Sequence, residues 1–459
     1  MKTLVDTGNA LSMGLAAIRS EFQIASDFPP ELLQAAQEAA RRAPTRHADR
    51  TGVPFVTLDP ASSTDLDQAF WIEASGGDLL LHYAIADVGW FVDDGGALDM
   101  EAWRRGETLY LPDGKASLYP PILSERAASL LPDGLRPAIV LTVRIDGGGN
   151  VRLEGAERAI IRSRAKLAYD SVRPSDLPRE FDELARRIQT AETRRGAARV
   201  DPPEQEVATL PGGGFELAFR PRLQSEAHNA SLSLAANLAV ADALQSHGTG
   251  LFRVMAEPDA KAVQRLRLSA QALGVSWPAQ MPLKDFEKSL TPGDPRQAAL
   301  MMAIRRAGPG ASYAPYRTGA VPWHAAIAAT YAHATAPLRR LADRYVLRAI
   351  LEISHGRAVP QIVRDAFETL PGEMARADAL SGKIERAVVD LAETLWLKGR
   401  EGEIFDAVVT DIDERGAKVQ LCDQPVVARL PRPGLTPGDF LKIRLTGIDE
   451  VRRTLSFDI

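Results

Sequence analysis

Asp59, Asp65 and Asp67 stand within nine residues, in "DPASSTDLDQAF", directly after the apolar run "PFVTL". Carboxylates on a loop at the end of a strand are well placed to hold a hard divalent cation. Crowded together, they repel one another unless a cation, hydrogen-bond donors or protonation offsets the charge. A calcium loop of the EF-hand kind is excluded, because its fifth position calls for Asx and its sixth for Gly, where this chain has Ala69 and Phe70. A solvated turn with helix-capping duties is the plain alternative, since Asp and Ser are common in turns. Mg²⁺ in an oxygen-only site usually works on phosphates. Two such ions about 4 Å apart could activate a water and stabilise the leaving oxygen in phosphodiester hydrolysis. That chemistry also calls for a cation at the transition-state charge, typically an Arg. Spacing alone does not choose between nuclease, phosphatase and polymerase.

The elements that must position these acids can be read from periodicity. The first fifty residues hold two short amphipathic helices, around "ALSMGLAAIRSEF" and "PPELLQAAQEAARRA", the second with Pro30 in its first turn. They form either a helical hairpin packed on the next domain or a small nucleic-acid-binding helix-turn-helix. "PTRHADRTG" reads as a linker. Strands follow in "PFVTL", "QAFWIEA", "DLLLHYAIADV", "PAIVLTVRI" and "NVRLEGAERAII", with helices interleaved at "ALDMEAWRRG" and "FDELARRIQTAETRRGAAR". The middle of the chain is mostly helical. An arginine-bearing helix, "PLRRLADRYVLRAILEISHG", is closed by Gly356, and a long helical stretch runs on to "LAETLWLKGR". After Gly402, five short alternating strands suggest a small barrel of the OB type.

Composition limits the possibilities further. At 459 residues, 45% hydrophobic and 25% charged, the chain is an ordinary soluble type with room for two or three domains. No stretch of eighteen apolar residues predicts a membrane span, and the N-terminus lacks the pattern of a secretory signal. Cys422 is the sole cysteine, so an intramolecular disulfide and a Cys-based zinc site are both excluded, and a cytoplasmic setting is expected. A net charge of -5 argues against coating nucleic acid by bulk positive charge. It leaves room for arginines gathered in a groove. The chain has 45 Arg to 10 Lys, and Arg suits bidentate phosphate recognition.

"FVTLDPASSTDLDQAF" resembles the signature of the ribonuclease II (RNB) family of 3′→5′ exoribonucleases, and the likeness continues in order. "HYAIADVGWFV", "LDMEAWRRGETLYLPDG", "LYPPILSERAASLLPDGLRP" and "IIRSRAKLAYDSV" are similar to successive family blocks. "YAHATAPLRRLADRYVLR" resembles the family's Tyr-x-His-Phe-Thr-Ser-Pro-Ile-Arg-Arg-Tyr-x-Asp helix, and the last strands resemble its S1-type domain. The resemblance covers residues from about 50 to 459. It implies an α+β fold: a helical module over 1–50, an RNB catalytic domain over 51–400 with a mixed sheet surrounded by helices, and an S1-type OB barrel over 401–459.

Carried over residue by residue, the resemblance makes Asp59, Asp65, Asp67 and Arg339 catalytic, with Arg339 on the scissile phosphate. It places Tyr110, Tyr169, Arg340 and Glu385 around the substrate, Tyr110 as the aromatic that stacks near the last nucleotide. Asp59, Asp65, Asp67 and Gln68 become the Mg²⁺ ligands. His324 and His333 stand ahead of Arg339, but no Cys or third His joins them, and a structural role is expected.

Four departures stand out. Gln68 occupies the place of the family's fourth aspartate; its amide oxygen can still coordinate, with one negative charge fewer. Where the family has paired glutamates this chain has Ala230 and Ser231, leaving Glu226 and His228 as approximate substitutes. A second clamping aromatic is missing near Val200, and the family's N-terminal cold-shock barrels are expected to be absent. The resulting expectation is a monomeric, Mg²⁺-dependent exoribonuclease that takes single-stranded RNA 3′ ends, structured RNA included, and releases nucleoside 5′-monophosphates. A catalytically silent RNA-binding homologue is the alternative, and a metal phosphohydrolase acting on small molecules is a third reading.

Overall fold

The computed structural model describes residues 4–5, 9–25, 27–197, 204–210, 214–220, 222–291, 294–308, 310–413, 416–422 and 426–459. Its first helices are α1 (Ala10–Glu21) and α2 (Pro30–Ala40). The central sheet contains β1 (Ala48–Asp49), β2 (Val56–Asp59), β3 (Gln68–Ser75) and β4 (Asp78–Ala86). After α3 (Ala97–Arg105) comes a two-stranded hairpin, β5 (Leu109–Leu111) and β6 (Gly114–Ala116). The sheet resumes with β7 (Arg136–Ile145), β8 (Val151–Ile161) and β9 (Ala165–Ala168). Its seven strands run in the order β9-β2-β3-β4-β7-β8-β1, with β9–β2 and β8–β1 parallel and the other neighbours antiparallel.

In β4, Leu79, Leu81, Tyr83 and Ile85 alternate onto one face while Ala84 and Ala86 lie on the other, and all are buried. Both faces of this strand are therefore covered. Part of that cover comes from α4 (Phe181–Arg195), which follows the sheet, and α5 (Gln224–Ser246), which packs on β7 and β8. The buried alanines of α5, Ala235, Ala236, Ala239 and Ala241, suit a helix enclosed on most sides. Phe181 of α4 stacks on Phe70 of β3 with ring centroids 5.5 Å apart.

The helices α6 (Ala260–Ala272), α7 (Leu283–Ser289) and α8 (Pro295–Ala307) enclose a small core of their own around Leu266, Phe286 and Leu300. α9 (Leu341–Ser354) and α10 (Gln361–Leu397) complete the helical layer. α10 belongs to two cores. Val363, Phe367, Leu370 and Met374 join the core of the central sheet, whereas Ile384, Leu391, Leu395 and Trp396 join that of the terminal barrel. The barrel comprises β10 (Ile404–Asp413), β11 (Gly416–Leu421), β12 (Val427–Leu430), β13 (Phe440–Asp449) and β14 (Thr454–Asp458), ordered β12-β11-β10-β13-β14, with β12 packed near β14. The fold is α+β, as expected. Among the described residues, no helix is long and apolar enough to cross a membrane.

Three expectations need correction. α1 and α2 do not form a packed hairpin, because their apolar faces lie in different cores: Leu11, Leu15 and Ile18 with the barrel and the end of α10, Leu32, Ala36 and Ala39 with the central sheet. "PTRHADRTG" is more than a linker, since β1 adds to the sheet and the His47 side chain is buried 3.1 Å from Asp87 Oδ2. The helix read through "PLRRLADRY" starts only at Leu341, so Arg339 and Arg340 precede it rather than ride on its surface. Val200 lies outside the described residues.

Candidate active site

Asp59 is the last residue of β2, and Asp67 immediately precedes β3, so the intervening loop returns the chain to the adjacent strand. Leu66 anchors that loop by being fully buried. Ser129 fixes its backbone, accepting from the Leu66 N–H at 2.9 Å and donating to the Thr64 carbonyl at 2.7 Å. The "SERAASLLPDG" segment therefore shapes the acidic loop, and its Glu125 accepts from the Thr64 hydroxyl at 2.9 Å and shares Lys115 at 3.2 Å.

The three acids have different surroundings. Asp67 is buried, with Oδ1 accepting from the Leu338 N–H at 2.7 Å and Oδ2 3.5 Å from Arg339 Nε. Burial pushes its pKa up to about 8, against the opposing pull of Arg339. Burial likewise raises Asp59 to about 7, with Arg339 and Lys166 opposing and Asp65 adding to the rise. Asp65 already has partners: Lys115 Nζ lies 2.7 Å away, and the Tyr110 hydroxyl donates to it at 3.1 Å. Two carboxylates are thus held up by burial despite the nearby Arg339, and the third has a close lysine and a phenol.

Tyr110 and Lys115 face each other across the β5–β6 pair, so the hairpin delivers a phenol and an ammonium to one carboxylate. Tyr110 keeps 53% of its surface exposed. The Thr108 N–H donates to the Arg339 carbonyl at 3.0 Å and the Leu341 N–H to the Gly106 carbonyl at 3.0 Å, which stitches the approach to the hairpin onto the arginine segment. Gly106 has φ of 76°, and a Cβ there would lie 2.7 Å from the Ala377 methyl, so glycine is required. Tyr169 stands beside Asp59. Its N–H donates to the Asp59 carbonyl at 3.2 Å, and its hydroxyl accepts from Asn229 Nδ2 at 2.9 Å. Burial, then the nearby Asp59 charge, pushes this phenol up to about 12.

The structure therefore gathers Asp59, Asp65, Asp67, Arg339, Tyr110 and Tyr169 into one place. Other expected members lie apart. Arg340 faces inward, where its fork engages both oxygens of buried Asp343 at 2.9 Å each, so its expected contact with substrate is corrected to an internal ion pair. Glu385 is exposed on α10 beside Glu107 and shares its acidic surroundings with Asp378. Gln68 has both ends of its amide engaged by protein groups, Thr335 on one side and Tyr83 and Ser233 on the other.

The substitutes noted from sequence have local partners, and the Glu226 charge also reaches Tyr169. Glu226 accepts from the Leu223 N–H at 2.8 Å at the start of α5, and His228 pairs with Asp182 at 2.9 Å. His333 is half-buried, with its ring 2.7 Å from the Tyr313 hydroxyl. No group of three His, Cys, Asp or Glu side chains converges as a ready-made metal cage among the described residues. The expected four-residue ligand set is thus not preassembled. An ion carried in with substrate oxygens would need only one or two carboxylates, and Asp59 and Asp67 are the pair that burial makes costly to ionise without a cation.

Lys115, Asn229 and Ser129 are participants that sequence reading passed over. Lys115 was within reach, because a tight turn at Pro112–Asp113 sets it opposite Tyr110. Asn229 and Ser129 gave no local signal, since their contacts cross 171 and 63 residues of chain.

Residues 47–356 match the RNB domain family, and residues 403–459 match the RNase II-type exonuclease C-terminal S1 domain. The chain is 26% identical to ribonuclease R of Aquifex aeolicus, over 97% of this chain and 70% of that protein. It is 29% identical to exoribonuclease 2 of Cronobacter sakazakii, over 84% of this chain and 63% of that protein. Among solved structures it is similar to Mycoplasma genitalium RNase R in complex with ribose-methylated single-stranded RNA, with a TM-score of 0.87 at 20% identity, covering 98% of this chain and 78% of the other. It is also similar to yeast Ssd1, described as a pseudonuclease, with a TM-score of 0.67 at 16% identity, covering 95% and 57%.

Proposed function

The chain belongs to the RNB family, whose domain spans residues 47–356, and from that premise we propose that it is a 3′→5′ exoribonuclease releasing nucleoside 5′-monophosphates from RNA. The observation that carries the reading is Arg339 beside Asp67, with a guanidinium 44% exposed and free to meet a phosphate. Relatives named ribonuclease R and exoribonuclease 2 support it.

The 3′-terminal base stacks on the exposed face of Tyr110, whose hydroxyl is tethered to Asp65. Arg339 then lies at the scissile phosphate, where its fixed positive charge offsets the charge that builds on the phosphoryl oxygens. Asp67 is aimed by the Leu338 N–H, and its carboxylate is placed beside Arg339 to accept the proton of an attacking water. The water oxygen bonds to phosphorus while the P–O3′ bond breaks. The upstream O3′ leaves and takes a proton from solvent, and the released nucleotide keeps its 5′-phosphate. A divalent cation, Mg²⁺ by preference, fits Asp59 and Asp67, with Asp65 alongside, and when bound supplies Lewis-acid stabilisation of the phosphoryl charge. The RNase R neighbour was also solved with double-stranded RNA, which supports extending the substrate range to structured RNA.

A second reading, a silent RNA-binding homologue, draws on Gln68 standing where a carboxylate was expected and on the missing cage. One experiment separates the two. A 3′-tailed RNA is incubated with Mg²⁺ and wild-type protein or the Asp67→Asn variant, and the products are resolved. Mononucleotides from the wild type alone support the enzyme, whereas tight binding without cleavage by either supports the silent homologue.

A further inference from the structure

Gln68 opens β3 directly after Asp67, and every hydrogen-bond partner of its amide is a neutral group, the Tyr83 hydroxyl among them standing close enough to feel the Asp59 and Asp67 charges. Oε1 accepts from the Tyr83 hydroxyl at 2.6 Å and from Ser233 Oγ at 3.3 Å, so both lone pairs of the oxygen have donors. Nε2 donates to the Thr335 carbonyl at 2.5 Å. Tyr83 is fully buried, and its hydroxyl also lies 2.7 Å from Ser233 Oγ, so the two hydroxyl hydrogens are shared among three close oxygen contacts.

Thr335 belongs to the segment that leads into Arg339, and the protein grips that segment almost residue by residue. The Ala334 N–H donates to Asn237 Oδ1 at 2.9 Å, the Ala336 N–H to Asp343 Oδ2 at 2.9 Å and the Leu338 N–H to Asp67 Oδ1 at 2.7 Å. Those three grips hold N–H groups. Gln68 supplies the side-chain grip on a carbonyl, and a carbonyl can be held only by a donor. An ionised carboxylate at position 68 has no hydrogen to give, and it would set a negative oxygen against the Thr335 carbonyl while losing nothing it could regain from Tyr83.

We propose that Gln68 is a positioning residue rather than a metal ligand: it ties the Thr335 carbonyl to the acidic strand and so keeps Arg339 beside Asp67. The proposal rests on the hydrolytic reading for its consequence in catalysis, but not for its geometry. It inverts the simple view of this substitution. Restoring an aspartate would loosen the arginine segment instead of completing a metal site.

The test compares wild type with Gln68→Glu, which keeps the length and loses the donor, and Gln68→Asp, which supplies the carboxylate. Each protein is melted to check folding, and three quantities are then read. The first is backbone hydrogen exchange over residues 334–339. The second is Mn²⁺ affinity by electron paramagnetic resonance without RNA, and the third is the single-turnover cleavage rate with saturating 3′-tailed RNA. Both variants are expected to exchange faster over 334–339 and to cleave about tenfold slower or worse, with RNA affinity in EDTA within about threefold and Mn²⁺ affinity little changed. If Gln68→Asp tightens Mn²⁺ binding about tenfold with unchanged exchange, the residue lines the metal site and the proposal is overturned. Should wild type neither bind nor cleave RNA, the hydrolytic reading fails, while exchange and Mn²⁺ affinity still decide the place of Gln68.

Discussion

Burial makes Asp59 and Asp67 reluctant anions, and that reluctance sets how the site responds to pH. Their folded pKa values of about 7 and about 8 lie above the ordinary carboxylate value of 3.8. Protonation is therefore favoured in the fold, so their contribution to stability is complete below pH 3.8 and is lost as pH rises through 7 to 8. Metal binding displaces those protons. Millimolar Mg²⁺ is thus expected to raise the melting temperature more at pH 9 than at pH 6.5, and Asp67→Asn to flatten that difference; equal shifts at both pH values would count against the assignment. Burial depresses His324 to about 4 and holds His333 well below its usual range, so these two oppose folding only as pH falls below 6.5. Arg339→Lys keeps the charge and loses the planar fork. Cleavage should fall about a hundredfold, with RNA binding in EDTA changed by less than about threefold, as read by single-turnover and equilibrium assays. Much of this site was legible in sequence because the acids and the arginine lie in blocks that resemble those of the RNB family. Arg340 was not, because which of two adjacent arginines faces inward depends on where the helix begins, and the Asp343 pair that decides it forms three residues downstream.

At the scale of elements, periodicity recovered the long strands and helices, whose apolar residues repeat often enough to read. It missed β1, which has two residues and no alternation, and the parting of α1 from α2, which depends on partners hundreds of residues away. The contact between α1 and α10 offers a sharp test. Gly14 lies in α1, and a Cβ there would meet Leu391 Cδ1 at 2.5 Å. On an isolated helix Gly→Ala stabilises by about 1 kcal/mol. Here the added methyl must displace a buried leucine, and Gly14→Ala is expected to destabilise by about 1–3 kcal/mol in chemical denaturation. A gain in stability would show that the two helices part easily. His47→Ala is expected to cost about 1–3 kcal/mol as well, because buried Asp87 loses a hydrogen-bond partner and keeps Arg158 at 2.9 Å.

Across the whole molecule, the sheet, the barrel and the helical trio are joined through shared side chains. Val408 of the barrel sits in the core of the trio, and Arg296 of α8 lies 4.9 Å over the Phe440 ring of β13. The main tie is α10, a helix of 37 residues with Pro371 inside it, whose two halves serve two cores. At 1.5 Å per residue it spans about 55 Å. A barrel on a pliant tether would sample many separations from Arg339, and RNA affinity would then climb smoothly with oligonucleotide length. A barrel mounted on a beam behaves as a ruler. Short RNAs reach only the acids and the arginine, and affinity should jump at the length that first reaches the barrel, which shares a core with Leu111 of the β5–β6 hairpin.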